Sequence, residues 1–190
     1  MPLYHFSEDP GIEVFVPRPV LVPSDRGPGN DWMNGPLVWA IDEQFQAMYL
    51  FPRDCPRIVM FRKADTTDED LAIWWGSRDC HAIAHIEWAW WERVSRETLY
   101  RYTLPEATFE SLGDAGMHVS HEAVTPLAVE TFGDLPAAMR AMKMELRILE
   151  RLTPLWDLWS TSLHVSGNRL RHAQGWDEEA MKRRISAARD

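Results

Sequence analysis

Cysteine, long apolar runs and basic residues are all scarce in this sequence, and each shortage argues against a class of protein. Two cysteines in 190 residues are too few for a disulfide framework, so we expect Cys55 and Cys80 to be free thiols in a reducing compartment. The longest apolar stretches fall far short of the roughly 20 residues that cross a bilayer. The first residues lack the basic start and the apolar run of a signal peptide, so we expect a cytoplasmic protein.

The shortage of basic residues bears on the choice of partner. Lysine and arginine number 20 against 29 aspartates and glutamates, and the formal net charge is −9. This charge opposes attraction to phosphate backbones and to anionic lipid, so it argues against general nucleic-acid binding and against membrane association. A local basic pocket could still bind a nucleotide, which leaves small phosphorylated ligands open.

Hydrophobic residues, and tryptophan in particular, are plentiful. Hydrophobic residues make up 45% of the chain, which is enough for a substantial core and excludes global disorder. The length falls in the usual range for one domain. Ten tryptophans are unusually many, and we expect them to fill the core and to contribute to a homodimer contact rather than to form a base-stacking surface.

Apolar runs and turn residues predict strands through the first two thirds of the chain and helices after it. This order predicts a single α+β domain with a bent, mainly antiparallel sheet, short flanking helices and a helical C-terminal section. We expect a sheet-rich body with a nucleotide cleft at 1–132, a helix-and-strand extension at 133–174, and a C-terminal helix or tail at 175–190. Strands are predicted at 3–6, 37–41, 58–62, 82–88, 98–104 and 124–130, and the main helices at 135–143, 154–163 and 177–189.

Three segments contain side chains that could act on a nucleotide. His5 ends the first predicted strand, where it could bond to a ribose hydroxyl or act as an acid or base. Trp39 and Tyr49 follow in a strand and a short helix, and either ring could stack on a flat ligand such as nicotinamide. Glu122 stands before an apolar strand, where a carboxylate could stabilise an oxocarbenium-like centre. For each there is a structural alternative: a histidine satisfied by backbone, a core helix and a surface glutamate.

A proline-rich turn carries two arginines. Arg53 and Arg57 could clamp a phosphate or carboxylate in forked geometry. Equally, Asp54 could pair with either arginine and lock the turn. Both interpretations stay open at the level of sequence.

The segment 80–88, which includes the strand predicted at 82–88, contains polar residues of a different kind. Cys80, His81 and His85 could converge on a metal, but ordinary core residues explain such spacing better, and we predict no structural zinc. Glu87 interrupts an apolar run, and a solvent-facing position is its simplest account. If it faces inward it needs a partner, for which Arg101 on the following strand is the natural candidate.

Taken in order, His5, Tyr49 (or Trp39) and Glu122 resemble the His-Tyr-Glu pattern of the ADP-ribosyltransferase superfamily over roughly residues 1–132. The resemblance implies one NAD cleft in which His5 holds the ribose, the aromatic ring stacks on nicotinamide and Glu122 stabilises the transition state. The chain departs from that pattern because residues 1–132 lack a Ser-Thr-Ser type second motif. It also has Ser120 where a second acid would stand, which argues against transfer to a protein acceptor.

The whole chain also resembles a family of small uncharacterised bacterial proteins. The resemblance rests on residues 3–9 (LYHFSED), 51–57 (FPRDCPR), 98–102 (TLYRY) and 167–171 (GNRLR). It is the closer of the two likenesses, and it implies a bacterial cytosolic origin without implying an activity.

Together these observations predict a protein that binds NAD or a related nucleotide, with ADP-ribosyl transfer or NAD cleavage as the reaction. NAD would then be a substrate, with Arg53 or Arg57 at its phosphates, and no cofactor would be bound covalently. The alternative is a non-enzymatic binding or interaction domain whose tryptophans form a dimer surface and whose His5 and Glu122 are structural.

Overall fold

A computed structural model describes residues 2–23, 26–76, 78–177, 179–180 and 183. Over these residues, ten strands form wherever short apolar or alternating runs are bounded by turn residues. The strands are β1 (Leu3–Ser7), β2 (Val38–Asp42), β3 (Arg57–Phe61), β4 (Ala82–Glu87), β5 (Leu99–Leu104), β6 (Glu110–Ser111), β7 (Met117–Ser120), β8 (Ala128–Phe132), β9 (Met144–Leu149) and β10 (His164–Asn168).

The helices are short, as predicted. Among the described residues, the α-helical segments α1 (Asp68–Asp70), α2 (Trp88–Arg96) and α3 (Leu135–Ala141) are accompanied by 3₁₀ segments, the longest at Thr153–Ser160, and by a π-helical turn at Leu71–Trp75. The α3 helix begins at Asp134, whose carboxylate accepts a hydrogen bond from the backbone N–H of Ala137 at 2.9 Å and so caps the first turn. The helix predicted at 177–189 lies largely outside the described residues. No helix in the described part of the chain combines the length and apolar character that crossing a membrane requires.

The chain folds into two compact units, each built from two separate stretches. The first unit combines Met1–Tyr49 with Thr98–Phe132, and the second combines Leu50–Glu97 with Gly133–Asp190. The α+β class is confirmed, and the strands are divided between two sheets, one in each unit.

The first unit contains a six-stranded, wholly antiparallel sheet in the order β6-β7-β2-β1-β5-β8. Leu3, Val38 and Tyr102 lie in the core on one of its faces, together with Phe15 from the loop after β1. Because side chains alternate along each strand, the neighbours of these residues point to the opposite face. The candidate site residues of β1 and β2 therefore lie on opposite faces of the sheet.

The second unit contains a four-stranded sheet in the order β10-β3-β4-β9, antiparallel except for the parallel pair β4–β9. Every residue of β3 and β4 is buried, as expected for the central strands of a sheet covered on both faces. The buried set includes Glu87, which is 2% exposed, so its predicted solvent-facing position is wrong.

Backbone groups, and not an arginine, satisfy the buried Glu87 carboxylate. Its Oε1 accepts hydrogen bonds from the backbone N–H groups of Leu152 at 3.1 Å and of Gln174 at 3.0 Å, and Oε2 also accepts from Gln174. Arg101, the partner suggested by the sequence, belongs to the other unit and has other partners there. Glu87 thus joins the end of β4 to two loops of its own unit.

Candidate functional site

His5 lies on the core face of the first sheet. It is directly opposite Tyr102 on β5, and its ring centroid is 4.7 Å from that of Phe15. Its Nδ1 lies 2.8 Å from the carbonyl oxygen of Trp39, a contact that requires the proton on Nδ1. The backbone contact agrees with the structural interpretation of this histidine, and the half-buried ring leaves part of it accessible.

Trp39 and Tyr49 lie on the other face of the same sheet. Trp39 follows the core residue Val38 in β2, so alternation turns its indole away from the His5 side, where the Arg26 guanidinium lies 5.3 Å from the ring centroid. The Tyr49 hydroxyl donates to the Met117 sulfur at 3.3 Å, and Met117 pairs with Ile41 two positions beyond Trp39. The sheet therefore separates both aromatic rings from His5, and the structure does not bring them together.

Glu122 lies two residues beyond β7 in an exposed turn. Its backbone N–H donates to the Ser120 hydroxyl at 3.1 Å. Two residues later Val124 exchanges backbone hydrogen bonds of 2.8 and 2.9 Å with Phe15, the residue whose ring contacts His5. The segment that contains Glu122 is thus brought to the His5 side of the sheet, away from Trp39 and Tyr49.

Arg53 and Arg57 belong to the second unit. Arg57 is buried, donates from Nη1 to the carbonyl oxygen of Cys55 at 3.1 Å and stacks 5.2 Å above the Phe51 ring. Arg57 therefore stabilises its own turn through a backbone carbonyl oxygen and an aromatic ring. Arg53 is exposed, and its carbonyl oxygen accepts a hydrogen bond from Arg169 Nε at 3.1 Å.

The cysteines and histidines considered as metal ligands lie mostly in the core of the second unit. Burial raises the pKa of the Cys55 thiol to about 12, so this thiol stays protonated and is a poor nucleophile. Burial, and then the nearby Arg147 charge, lower the pKa of His85 to about 4, and its Nδ1 lies 3.3 Å from the Ile58 carbonyl oxygen. Within the residues that the structure describes, no three His, Cys, Asp or Glu side chains are grouped as ligands of one metal ion.

The surface that the sequence did not predict is the edge of the first sheet. The edge strand β8 pairs with β5 on one side, and no described strand pairs with its other side. Leu127 is 68% exposed and Val129 52%, although both are large aliphatic side chains. The sequence predicted a strand at 124–130, which overlaps β8, but strand order within a sheet depends on distant residues.

A groove of about 260 Å³ runs beside this edge. Its lining contains Pro10–Glu13, Tyr102 and Pro126–Val129. The Tyr102 hydroxyl donates to the Asp9 carbonyl oxygen at 2.7 Å and accepts from the Ile12 backbone N–H at 3.1 Å. These hydrogen bonds hold the loop after β1, which forms one wall of the groove, against β5. The groove lies on the Tyr102 face of the sheet, and its lining combines apolar side chains with the exposed carboxylate of Glu13.

The carboxylate of Glu130 lies on the opposite face of β8, where it is bonded to a mostly buried arginine of the neighbouring strand. Glu130, 56% exposed, accepts a hydrogen bond from Arg101 on β5, and only 17% of the Arg101 side chain is exposed. The Arg101 guanidinium lies 4.5 Å from the Tyr4 ring centroid and 5.2 Å from that of Phe132, and it also donates to Gln46 at 2.6 Å. A molecule approaching this edge therefore meets the acid rather than the arginine.

Comparison with known proteins gives one decisive match, to a family model covering residues 4–173. The chain belongs to this family of unknown function, DUF6886. No curated protein and no solved structure matches the chain.

The DUF6886 match includes all the candidate residues and the whole of β8. It confirms the resemblance to uncharacterised proteins. It does not show the resemblance to ADP-ribosyltransferases, which stays a prediction.

Proposed function

We propose that the protein is a binding domain that takes an extended segment of another protein as an additional strand along β8. The observation that carries the proposal is an exposed edge strand with two exposed aliphatic side chains beside a groove. This is the interaction-domain alternative predicted from the sequence, with the sheet edge in place of a tryptophan surface.

The main chain of β8 supports this proposal. An edge strand presents a row of backbone N–H and C=O groups to which an extended chain can bond, and protein domains commonly recognise peptides in this way. Edge strands that bind nothing are usually protected by lysine, proline or a covering loop. Residues 128–131 are all exposed and contain one charged side chain, Glu130.

The groove supports the proposal through side chains. Main-chain bonds provide affinity with little selectivity, whereas pockets beside the edge select alternate side chains of the added strand. Leu127 and Val129 are two positions apart and therefore point to the same face, which is the face of the groove because Val129 lies opposite Tyr102. A strand added here would bury both aliphatic side chains.

The test is a display selection with the full chain as bait and random peptides of about seven residues, a usual strand length. Selected peptides should lose at least about tenfold in affinity on Val129→Lys, which places a charge on the groove face. Leu21→Lys is the matched control, because Leu21 is 88% exposed and lies in the loop that leads to β2, away from the β8 edge. Selected peptides that bind both variants equally would refute the proposal.

Nucleotide binding is a second proposal, favoured by the shared location of His5 and the Glu122 segment. NAD or a related nucleotide would lie on this side of the sheet, with His5 at the ribose and Glu122 at the reacting carbon. Trp39 and Tyr49 face the other way, so the ring-stacking role would not belong to them in this arrangement. A Trp-rich dimer would have to use Trp32 or Trp88, the most exposed of the described tryptophans.

The nucleotide proposal is tested by NAD consumption and by calorimetric NAD binding. Glu122→Gln should keep binding and lower turnover by about 100-fold, because Gln is nearly isosteric but cannot oppose a developing positive charge. His5→Ala should instead weaken binding, because a ribose contact already exists in the ground state. Melting temperatures control for folding. Wild-type protein that neither binds nor consumes millimolar NAD would rule this proposal out.

A further inference from the structure

We propose that the segment bound at β8 alternates apolar and basic side chains, with a basic side chain placed beside Glu130. This inference rests on the proposed strand addition and specifies the chemistry of the partner. It follows from the different character of the two faces of β8.

The alternation of β8 determines the alternation of its partner. Directly opposite residues of paired strands point to the same face, with their Cβ atoms about 5 Å apart. Val129 lies opposite Tyr102 and Glu130 opposite Arg101, so the two residues mark opposite faces of the edge. Successive side chains of an added strand therefore meet the aliphatic side chains beside the groove and the Glu130 carboxylate in turn.

On the groove face the partner should be aliphatic. The side chains available there include Leu127, Val129 and Ile12, and the Tyr102 hydroxyl is already bonded to the main chain. The groove lining also contains the exposed carboxylate of Glu13, but a polar side chain placed against Leu127 and Val129 would lose hydration without gaining a comparable partner from them. An apolar side chain would bury surface at both Leu127 and Val129.

On the other face the partner should be basic. A carboxylate can accept hydrogen bonds on both oxygens, so Glu130 can accept a bond from Arg101 and still bind a second cation. Arg101 is mostly covered by Tyr4 and Phe132, so the exposed charge is that of the acid. The net charge of −9 also attracts a basic segment at long range and repels an acidic one.

A second copy of this chain fits the edge less well than a basic segment. Full antiparallel overlap of two β8 strands is centred on Glu130 and places the two Glu130 carboxylates directly opposite each other. Like charges in that position destabilise strand pairing. The occupant to which the charges point is therefore a different polypeptide.

The experiment compares two synthetic peptides, Val-Thr-Val-Lys-Val-Thr-Val and the same peptide with Glu in place of Lys, against the full chain by calorimetry. The Lys peptide should bind at least about fivefold more tightly at low salt, and the preference should shrink as salt screens the pair. Glu130→Gln should remove the preference while retaining binding of both peptides. Glu43→Gln, at an exposed acid outside the edge, should change neither.

The outcomes separate this inference from the proposed function. If both peptides bound equally and Val129→Lys still weakened their binding, the inferred charge pattern would be overturned while the proposed strand addition would stand. Failure of both synthetic peptides while display-selected peptides bind at β8 would also overturn the pattern. A wild-type dimer that Val129→Lys dissociates would show a second copy at the edge and overturn the inference. The salt series on wild type gives an independent measurement if Glu130→Gln proves unstable.

Discussion

Two ionisable side chains of β4 show how buried polar groups find hydrogen-bond partners inside the second unit. His85 and Glu87 are both buried, two positions apart, and so point to the same face of the sheet. Glu87 is compensated by main-chain donors, whereas His85 faces Arg147, whose Nε donates to Glu145 at 2.8 Å. These surroundings supply hydrogen-bond donors to Glu87 and favour a neutral His85.

The first prediction at this scale concerns the pH dependence of stability. Burial, reinforced by Arg147, lowers the His85 pKa from 6.5 to about 4. Between these values the unfolded state binds a proton that the folded state does not, so stability falls as pH drops from about 6.5 to about 4 and is unaffected by His85 above that window. The loss should total roughly 3 kcal/mol. His85→Gln should flatten this part of the curve in urea unfolding.

The comparison variant is His81→Gln, because His81 is exposed on the same segment. It should keep the wild-type slope between pH 6.5 and 5, where few carboxylates change their charge. If His85→Gln and wild type lost stability in parallel over this range, the neutral, buried state of His85 would be contradicted.

The second prediction at this scale concerns Glu87. Glu87→Gln replaces one acceptor oxygen by an NH₂ group, which would face the backbone N–H of Gln174, because that N–H lies 3.0 Å from both carboxylate oxygens. Unfolding free energy should fall by about 2–3 kcal/mol, the range for hydrogen bonds to charged groups. Glu92→Gln, at an exposed acid on α2, should change it by less than about 0.5 kcal/mol. Similar urea midpoints for the two variants would contradict the role given to Glu87.

Single elements show where local sequence patterns fail. The β10 strand reads HVSGN, which lacks strong strand character, and it forms because it pairs with the apolar strand β3 along five residues. The tryptophan-rich stretch between the strands predicted at 82–88 and 98–104 had no predicted element, and it forms the helix α2. In that helix Val94 is buried and Arg93 and Arg96 occupy the last turn, where positive charge is favourable.

The prediction at this scale concerns Gly167 in β10. A Cβ atom there would lie 2.8 Å from Trp159 Cζ2 and closer still to Leu170, nearer than real Cβ contacts allow. Gly167→Ala should therefore destabilise the protein by about 1–3 kcal/mol, as overpacked cores do. Gly133→Ala is the control, since a Cβ atom at Gly133 would have nothing within 4 Å. A thermal melt with both variants at the wild-type midpoint would refute close packing at β10.

At the scale of the whole molecule, the described residues form two units whose chain segments are interleaved. The expected division of the sequence at residue 132 keeps all six strands of the first sheet together. It also leaves β3 and β4 without β9 and β10, their neighbours in the second sheet. The single-domain organisation stays a prediction, and it can be tested by cutting the chain.

We predict that the fragment 1–132 exposes apolar surface, because β3 and β4 are buried at every position in the intact protein. It should bind the dye ANS and melt without a sharp transition. A chain joining 2–49 to 98–132 through a flexible linker of about ten residues retains the first sheet and should melt cooperatively. A fragment 1–132 that melted cooperatively without binding ANS would establish residue 132 as a true domain boundary.

The sequence by itself determined the α+β class and the positions of most strands, because alternation and apolar runs are local properties. It also located His5, Trp39 and Tyr49 on or next to the first two strands of their sheet. Alternation identifies two faces but cannot say which face each residue shares with residues far along the chain. Pairing between distant strands decided that His5 and Trp39 face opposite sides, that Glu87 is buried, and that β8 lies at an edge. These outcomes depend on long-range contacts, and only the tertiary structure supplies them.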